Sequence, residues 1–211
     1  MKIFLIFVIL YGLIPLPFLI TLKSKIKNID FIYPFVIVVF ISSLYEFFGS
    51  IILKISLENW YLTYKTLAFF SILYFYFFIL SQKFKFLFVL LILLFFLLVI
   101  FTFTIWTSKF YFEVSSYFNV FQTVVIVILS ILWFKKILID LDSNSLLDSS
   151  VYFFISGLLI YYLGTVFVYL IGSYIYFENK ALFQYYWLLN IFLNLVLRTF
   201  LIIGIWKARV K

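Results

Sequence analysis

Seven long stretches of the sequence are almost continuously apolar, and short polar or charged segments separate them. Each has about 20 residues or more, enough at ~1.5 Å per residue to cross the ~30 Å hydrocarbon core of a bilayer. Because backbone polar groups must be paired in lipid, and barrel strands are short and alternate in polarity, the pattern predicts helices. The predicted spans are Ile3–Leu22, Phe31–Leu53, Trp60–Leu80, Phe84–Trp106, Phe118–Ile139, Val151–Phe177 and Leu182–Trp206.

The ends of the first two spans carry local signals. The first is followed by lysines and by no small-residue cleavage site, so it is predicted to be a retained helix, bent by Pro15 and Pro17. In the second, Asp30 is a candidate N-cap and Pro34 falls in the first turn, where proline is tolerated.

The distribution of basic residues predicts the orientation. Ten Lys and Arg residues flank the spans on one side and four on the other, and the richer side should be cytoplasmic. This places the N-terminus outside and the C-terminus in the cytoplasm. The ten are Lys23, Lys25, Lys27, Lys83, Lys85, Lys135, Lys136, Lys207, Arg209 and Lys211, and the four are Lys2, Lys54, Lys109 and Lys180.

Composition narrows the class of protein. The chain is 67% hydrophobic, whereas soluble proteins are about 45–50% apolar, so the 211 residues are predicted to form one all-α domain with the lipid bilayer as its solvent. The net charge of +8 is explained by membrane topology and does not indicate nucleic-acid binding. The sequence has no Cys and no His, which removes thiolate metal sites and the commonest general base.

Two ionisable residues lie inside neighbouring spans. Glu46 falls roughly 13 Å below the outer end of the second span, and Lys65 roughly 12 Å below that of the third. Ser42 precedes Glu46 by one turn and shares its face. Charges at this depth should face the bundle interior and have a partner, so an ion pair is predicted. Such a pair either locks two helices together or belongs to a ligand site.

A polar stripe runs along the seventh span. Tyr186, Asn190, Asn194 and Arg198 recur every four residues and therefore lie on one helix face. Asn190 is expected in the layer of Glu46 and Lys65, with Arg198 deeper and snorkelling toward the cytoplasm. The stripe serves either interhelical hydrogen bonding or a site. Polar residues of the fifth span, Asn119, Gln122, Thr123 and Ser130, fall close to one face, and Gln122 is added to the candidate ligand residues.

Four segments resemble those of small uncharacterised bacterial seven-helix proteins, which are similar to the membrane-sensor domains of some histidine kinases. They are residues 43–48 (SLYEFF), 60–70, 152–166 (YFFISGLLIYYLGTV) and 189–206. The resemblance implies a sensory role in a bacterial inner membrane. The sequence stops five residues after Trp206 and contains no His, so a signal would pass to a separate cytoplasmic protein.

The leading hypothesis is a membrane receptor or sensor. A small or amphiphilic ligand would bind in the outer third of the bundle at Glu46, Lys65, Asn190, Tyr186, Asn194 and Gln122, and Arg198 would relay the signal by biasing two arrangements of the sixth and seventh spans. No catalytic residue, metal or cofactor is expected, and no enzyme motif is present. The alternatives are a small channel or transporter and a structural membrane subunit.

Overall fold

In a computed structural model, the chain is described over residues 2–22, 30–55, 58–80, 84–105, 111–140 and 146–209. All the long elements that these residues form are helices. The α-helices are α1 (Lys2–Tyr11), α2 (Pro15–Leu22), α3 (Tyr33–Leu44), α4 (Glu58–Leu80), α5 (Lys85–Ile105), α6 (Tyr111–Asp140), α7 (Ser150–Glu178) and α8 (Lys180–Lys207).

The described residues contain seven helical segments long and apolar enough to cross a membrane. Their mean hydropathy runs from 1.5 to 3.0, with α5 the most apolar. The seven predicted spans are therefore confirmed as helices. The fifth begins earlier than predicted, at Tyr111, because α6 continues through polar residues that the hydropathy pattern assigned to a loop. Trp106, Lys83, Lys109 and the lysines after Leu22 lie outside the described residues.

The first span is interrupted halfway. Its two halves, α1 and α2, are separated by a tight turn in which Leu13 and Ile14 donate to the carbonyls of Leu10 and Tyr11. Pro15 is the first residue of α2, a position where its missing N–H costs no hydrogen bond. The span is therefore interrupted immediately before Pro15, where the sequence predicted a bent helix.

The second span changes its winding. It opens with a 3₁₀ turn at Asp30–Ile32, so Ile32 and not Asp30 holds the N-cap position, and no side chain caps the helix there. After α3 the chain continues as a π-helix over Tyr45–Ile52. The predicted cap at Asp30 is therefore wrong, whereas Pro34 lies in the first turn as expected.

Aromatic side chains dominate the core between α4, α5 and α6. The rings of Phe69 and Phe95 stack with centroids 4.1 Å apart, and Phe118 packs edge-on against Phe95 at 5.7 Å. Beside this cluster the hydroxyls of Tyr76 and Ser130 are 2.6 Å apart. These contacts join α4 to α6. Helix α5 packs against both of them and lies at the periphery of the bundle.

Helices α7 and α8 form an antiparallel pair joined by the single residue Asn179. Glycines permit their close approach. A Cβ on Gly157 would lie 2.7 Å from Cβ of Phe200, and one on Gly164 would lie 2.6 Å from Leu193. Small residues at such positions let two membrane helices pack closely together. The pair forms one wall of the bundle, against which α1 and α2 also pack.

Candidate functional site

The candidate site is a cavity of about 220 Å³. Five segments build it: α1, the end of α3 with the π-helix, the start of α4, the middle of α7 and the part of α8 from Trp187 to Arg198. Five of the seven residues predicted for the site line it, namely Glu46, Lys65, Asn190, Asn194 and Arg198. The remaining walls are Leu5, Val8, Ile9, Ser42, Ile51, Trp60, Tyr64, Tyr161, Tyr169, Trp187 and Ile191.

Glu46 enters the cavity from the second residue of the π-helix. Ser42, one turn earlier on α3, donates its hydroxyl to Oε1 of Glu46 over 3.3 Å. The two side chains therefore share a face, as predicted. The guanidinium of Arg198 is the cationic group that interacts electrostatically with this carboxylate.

Lys65 is 1% exposed and belongs both to the cavity wall and to the contact between α4 and α6. Its Nζ donates to Oδ1 of Asn119 over 2.5 Å and lies 5.1 Å from the ring centroid of Tyr169. Within the described ranges the ion pair is instead Lys207–Asp148, at 3.3 Å between exposed side chains. The predicted ion pair of Glu46 with Lys65 is wrong, because the neutral amide of Asn119 holds the lysine on the side of α6.

Arg198 ties the polar face of α8 to the break in the first span. Its guanidinium donates to the carbonyl of Val8, in the last turn of α1. A positive charge at a helix C-terminus interacts favourably with the helix dipole and with the last carbonyls. A side chain at Gly12 would collide with this guanidinium and with Ser43. Arg198 is 4% exposed, so it stays in the bundle and does not snorkel as the sequence predicted.

Three buried polar atoms of the lining have no hydrogen-bond partner among the described residues. They are Nε1 of Trp60, Oδ1 of Asn190 and Nε of Arg198. Trp60 also stacks on Tyr45 with ring centroids 4.6 Å apart, which restricts the orientation of the indole plane. A buried polar atom without a partner costs roughly 1–3 kcal/mol, so such groups rarely collect in one place without a ligand or water to satisfy them.

Two predicted site residues lie elsewhere. Gln122 on α6 donates from Nε2 to the backbone carbonyl of Lys65 over 2.9 Å, so it stands behind the cavity wall. Tyr186 donates its hydroxyl to the carbonyl of Phe167 over 3.0 Å and connects α8 to α7. Both serve contacts between helices.

Sequence reasoning missed the aromatic side of the site. Trp60, Tyr64 and Trp187 line the cavity although none was assigned to it. A signal was present on α8, where Trp187 lies three residues before Asn190 and thus on the same face. Of the tyrosines on α7, Tyr161 and Tyr169 line the cavity, whereas the carbonyl of Tyr162 accepts a hydrogen bond from Thr123.

Comparison of the chain with protein-family models, with curated proteins and with solved structures gives no match. The fold and the geometry of the cavity define an all-helical protein that has, in the part that the structure describes, seven helices of membrane-spanning length and a cavity whose aromatic and apolar walls carry a few polar groups.

Proposed function

We propose that this protein is a multi-pass receptor or sensor of a bacterial inner membrane, with its N-terminus outside and its C-terminus in the cytoplasm. A small ligand binds in the cavity bounded by Glu46, Lys65 and Asn190. A separate cytoplasmic protein receives the signal. The basic residues that cluster on one side of the spans support the orientation.

The observation that carries this proposal is that three residues lining one aromatic cavity each carry a buried polar atom without a hydrogen-bond partner in the described part of the chain. Ligand sites characteristically combine apolar and aromatic walls with a few polar groups that fix the orientation of the ligand. A bundle held together only for structural reasons would lose stability by leaving Trp60, Asn190 and Arg198 unsatisfied. A ligand that completes their hydrogen bonds turns the same atoms into a source of affinity.

Arg198 connects the binding of a ligand with the position of α1 against α8. Its guanidinium lines the cavity and holds the carbonyl end of α1 at Val8. A ligand that draws the guanidinium into the cavity weakens its contact with α1, so bound and free protein differ in how α1 is held against α8. Such a difference in contacts between two states is what a ligand needs in order to shift their populations.

A thermal-shift screen with purified protein in lipid nanodiscs tests the site. We expect at least one small water-soluble metabolite to raise the unfolding temperature of the wild type, and we expect Glu46→Gln and Asn190→Leu to change the size of that effect. Asp148→Asn and Gln184→Leu make the same chemical changes at exposed positions and should leave the effect as it is. Shifts that stay unchanged in both cavity variants, or a screen without any shift, would remove the proposed site.

A flux measurement separates the receptor from a channel or transporter. In proteoliposomes the compound that shifts the unfolding temperature should bind without crossing the bilayer. Uptake that depends on Glu46 would replace the receptor by a transporter. A structural subunit, the third candidate, would instead co-purify with a stoichiometric partner and show no shift with any compound.

The orientation has a direct test because the chain contains no Cys. Glu178 and Asp148 are exposed at opposite ends of α7. A membrane-impermeant maleimide should label Glu178→Cys in spheroplasts whose inner membrane is intact, and Asp148→Cys only after that membrane is permeabilised. The reverse pattern would invert the proposed topology.

A further inference from the structure

Among the hydrogen-bonding atoms of the cavity that lack a partner in the described residues, donors outnumber acceptors. Two of the three partnerless atoms, Nε1 of Trp60 and Nε of Arg198, are donors, and one, Oδ1 of Asn190, is an acceptor. Arg198 and Asn190 are 4% and 6% exposed, so bulk water does not serve these atoms. A ligand that completes the set therefore presents acceptors to Trp60 and Arg198 and a donor to Asn190.

Among the ionisable side chains of the cavity, basic residues outnumber acidic ones. Two basic residues, Lys65 and Arg198, line the cavity beside a single acidic residue, Glu46. One oxygen of that carboxylate already accepts the hydroxyl of Ser42. Besides the Glu46 carboxylate, with which it interacts electrostatically, Arg198 contacts the neutral carbonyl of Val8. An anionic group in the ligand would balance the second basic side chain of this largely apolar cavity.

Size and walls restrict the rest of the ligand. A cavity of about 220 Å³ suits a compact ligand. The rings of Trp60, Tyr64, Tyr161, Tyr169 and Trp187 offer flat apolar faces to a compact body.

We propose that the ligand is a small organic anion that also carries a hydrogen-bond donor. Its carboxylate accepts from the N–H groups of Trp60 and Arg198, its donor faces the carbonyl oxygen of Asn190, and its apolar body packs on the aromatic walls. This inference rests on the proposed function, since it specifies the chemistry of the ligand in the same cavity.

Four related compounds separate the required features. Mandelate has the carboxylate, the hydroxyl donor and a flat ring. Phenylacetate lacks the hydroxyl, mandelamide lacks the charge, and 2-amino-1-phenylethanol replaces the anion by a cation. Inorganic phosphate presents an anion without an apolar body. Each is titrated into the full chain in nanodiscs of uncharged lipid at constant ionic strength, by calorimetry and by thermal shift.

Trp60→Phe gives the sharpest variant, because it removes one donor and keeps an aromatic ring. Trp206→Phe is its matched control, since Trp206 is half exposed at the far end of α8 and stacks on Phe18 outside the cavity. Loss of a hydrogen bond to a charged group weakens binding by about tenfold or more. We expect that loss for mandelate in Trp60→Phe and no change in Trp206→Phe.

Asn190→Leu tests the donor separately. It should abolish the advantage of mandelate over phenylacetate and keep binding of the carboxylate measurable. The proposal is supported if mandelate binds more tightly than the other four probes and Trp60→Phe weakens it. It is overturned if mandelamide or the amine binds as well as mandelate, if phosphate alone matches it, or if mandelate fails to bind at millimolar concentration.

The two proposals fail in different ways. Tight binding of a neutral or cationic compound that Asn190→Leu removes would overturn the organic anion and leave the receptor standing. Transport of mandelate into proteoliposomes would support the ligand class and overturn the receptor. A cavity whose variants change neither binding nor stability would overturn both.

Discussion

Replacing Asn190 by Leu should stabilise the ligand-free protein, although it removes a polar group from the candidate site. Asn190 is buried, and its carbonyl oxygen has no partner among the described residues. The substitution exchanges this unsatisfied acceptor for an apolar side chain in an apolar layer. The adjacent cavity of about 220 Å³ gives the larger side chain room without displacing a neighbouring helix.

The size of the gain follows from the cost of the unsatisfied atom. A buried acceptor without a partner costs about 1–3 kcal/mol, and the substitution removes that cost. For a chain of 150–250 residues, 1 kcal/mol corresponds to a shift of about 2–4 °C in Tm. We therefore expect the Tm of Asn190→Leu to rise by about 2–12 °C in the absence of ligand.

Thermal unfolding of the purified protein in nanodiscs, followed by tryptophan fluorescence, measures the change. Gln184→Leu makes the same kind of change at an exposed position of α8 and should stay within about 0.5 kcal/mol of the wild type. A Tm of Asn190→Leu equal to or below that of the wild type would mean that the carbonyl of Asn190 is already satisfied. The proposal that a ligand completes the hydrogen bonds of this cavity would then lose its main support.

Two further predictions concern the core. Gly157→Ala places a Cβ 2.7 Å from Cβ of Phe200 on the facing helix, so it should destabilise the α7–α8 pair by about 1–3 kcal/mol. The control Gly172→Ala should be tolerated, because its Cβ would lie 3.7 Å from the nearest atom, on Phe183. Equal Tm values for both variants would contradict this packing. Tyr76→Phe removes the buried hydroxyl contact between α4 and α6 and should cost about 1 kcal/mol in denaturant unfolding. Tyr185→Phe, at an exposed ring, serves as the control and should cost nothing measurable.

The part of the site that follows from helix periodicity could be predicted from the sequence. Asn190, Asn194 and Arg198 recur at intervals of four, and an unbroken α-helix carries them into one cavity. Glu46 and Lys65 followed from the cost of placing ionisable groups in lipid, which requires them to face inward. Periodicity and the inward orientation of ionisable residues can each be inferred from the sequence of a single helix.

The missing parts depend on several helices together. Hydropathy predicted a simple connector before Phe118, whereas α6 is helical from Tyr111. Depth alone paired Glu46 with Lys65, but the direction of each side chain decides the partner, and Asn119 of α6 takes the lysine. The sequence carried no signal for the π-helix, so the α-helical face drawn through Ser42 and Glu46 could not show how the chain winds after Tyr45.

The interruption of the first span affects how the chain is assembled during synthesis. At ~1.5 Å per residue, the ten residues of α1 and the eight of α2 extend only about 15 Å and 12 Å, and neither half crosses a bilayer alone. Val8, in the last turn of α1, contributes a carbonyl that is bound by Arg198 of α8, 190 residues further along the chain. Helix α1 therefore reaches its final arrangement only after α8 has been translated and inserted.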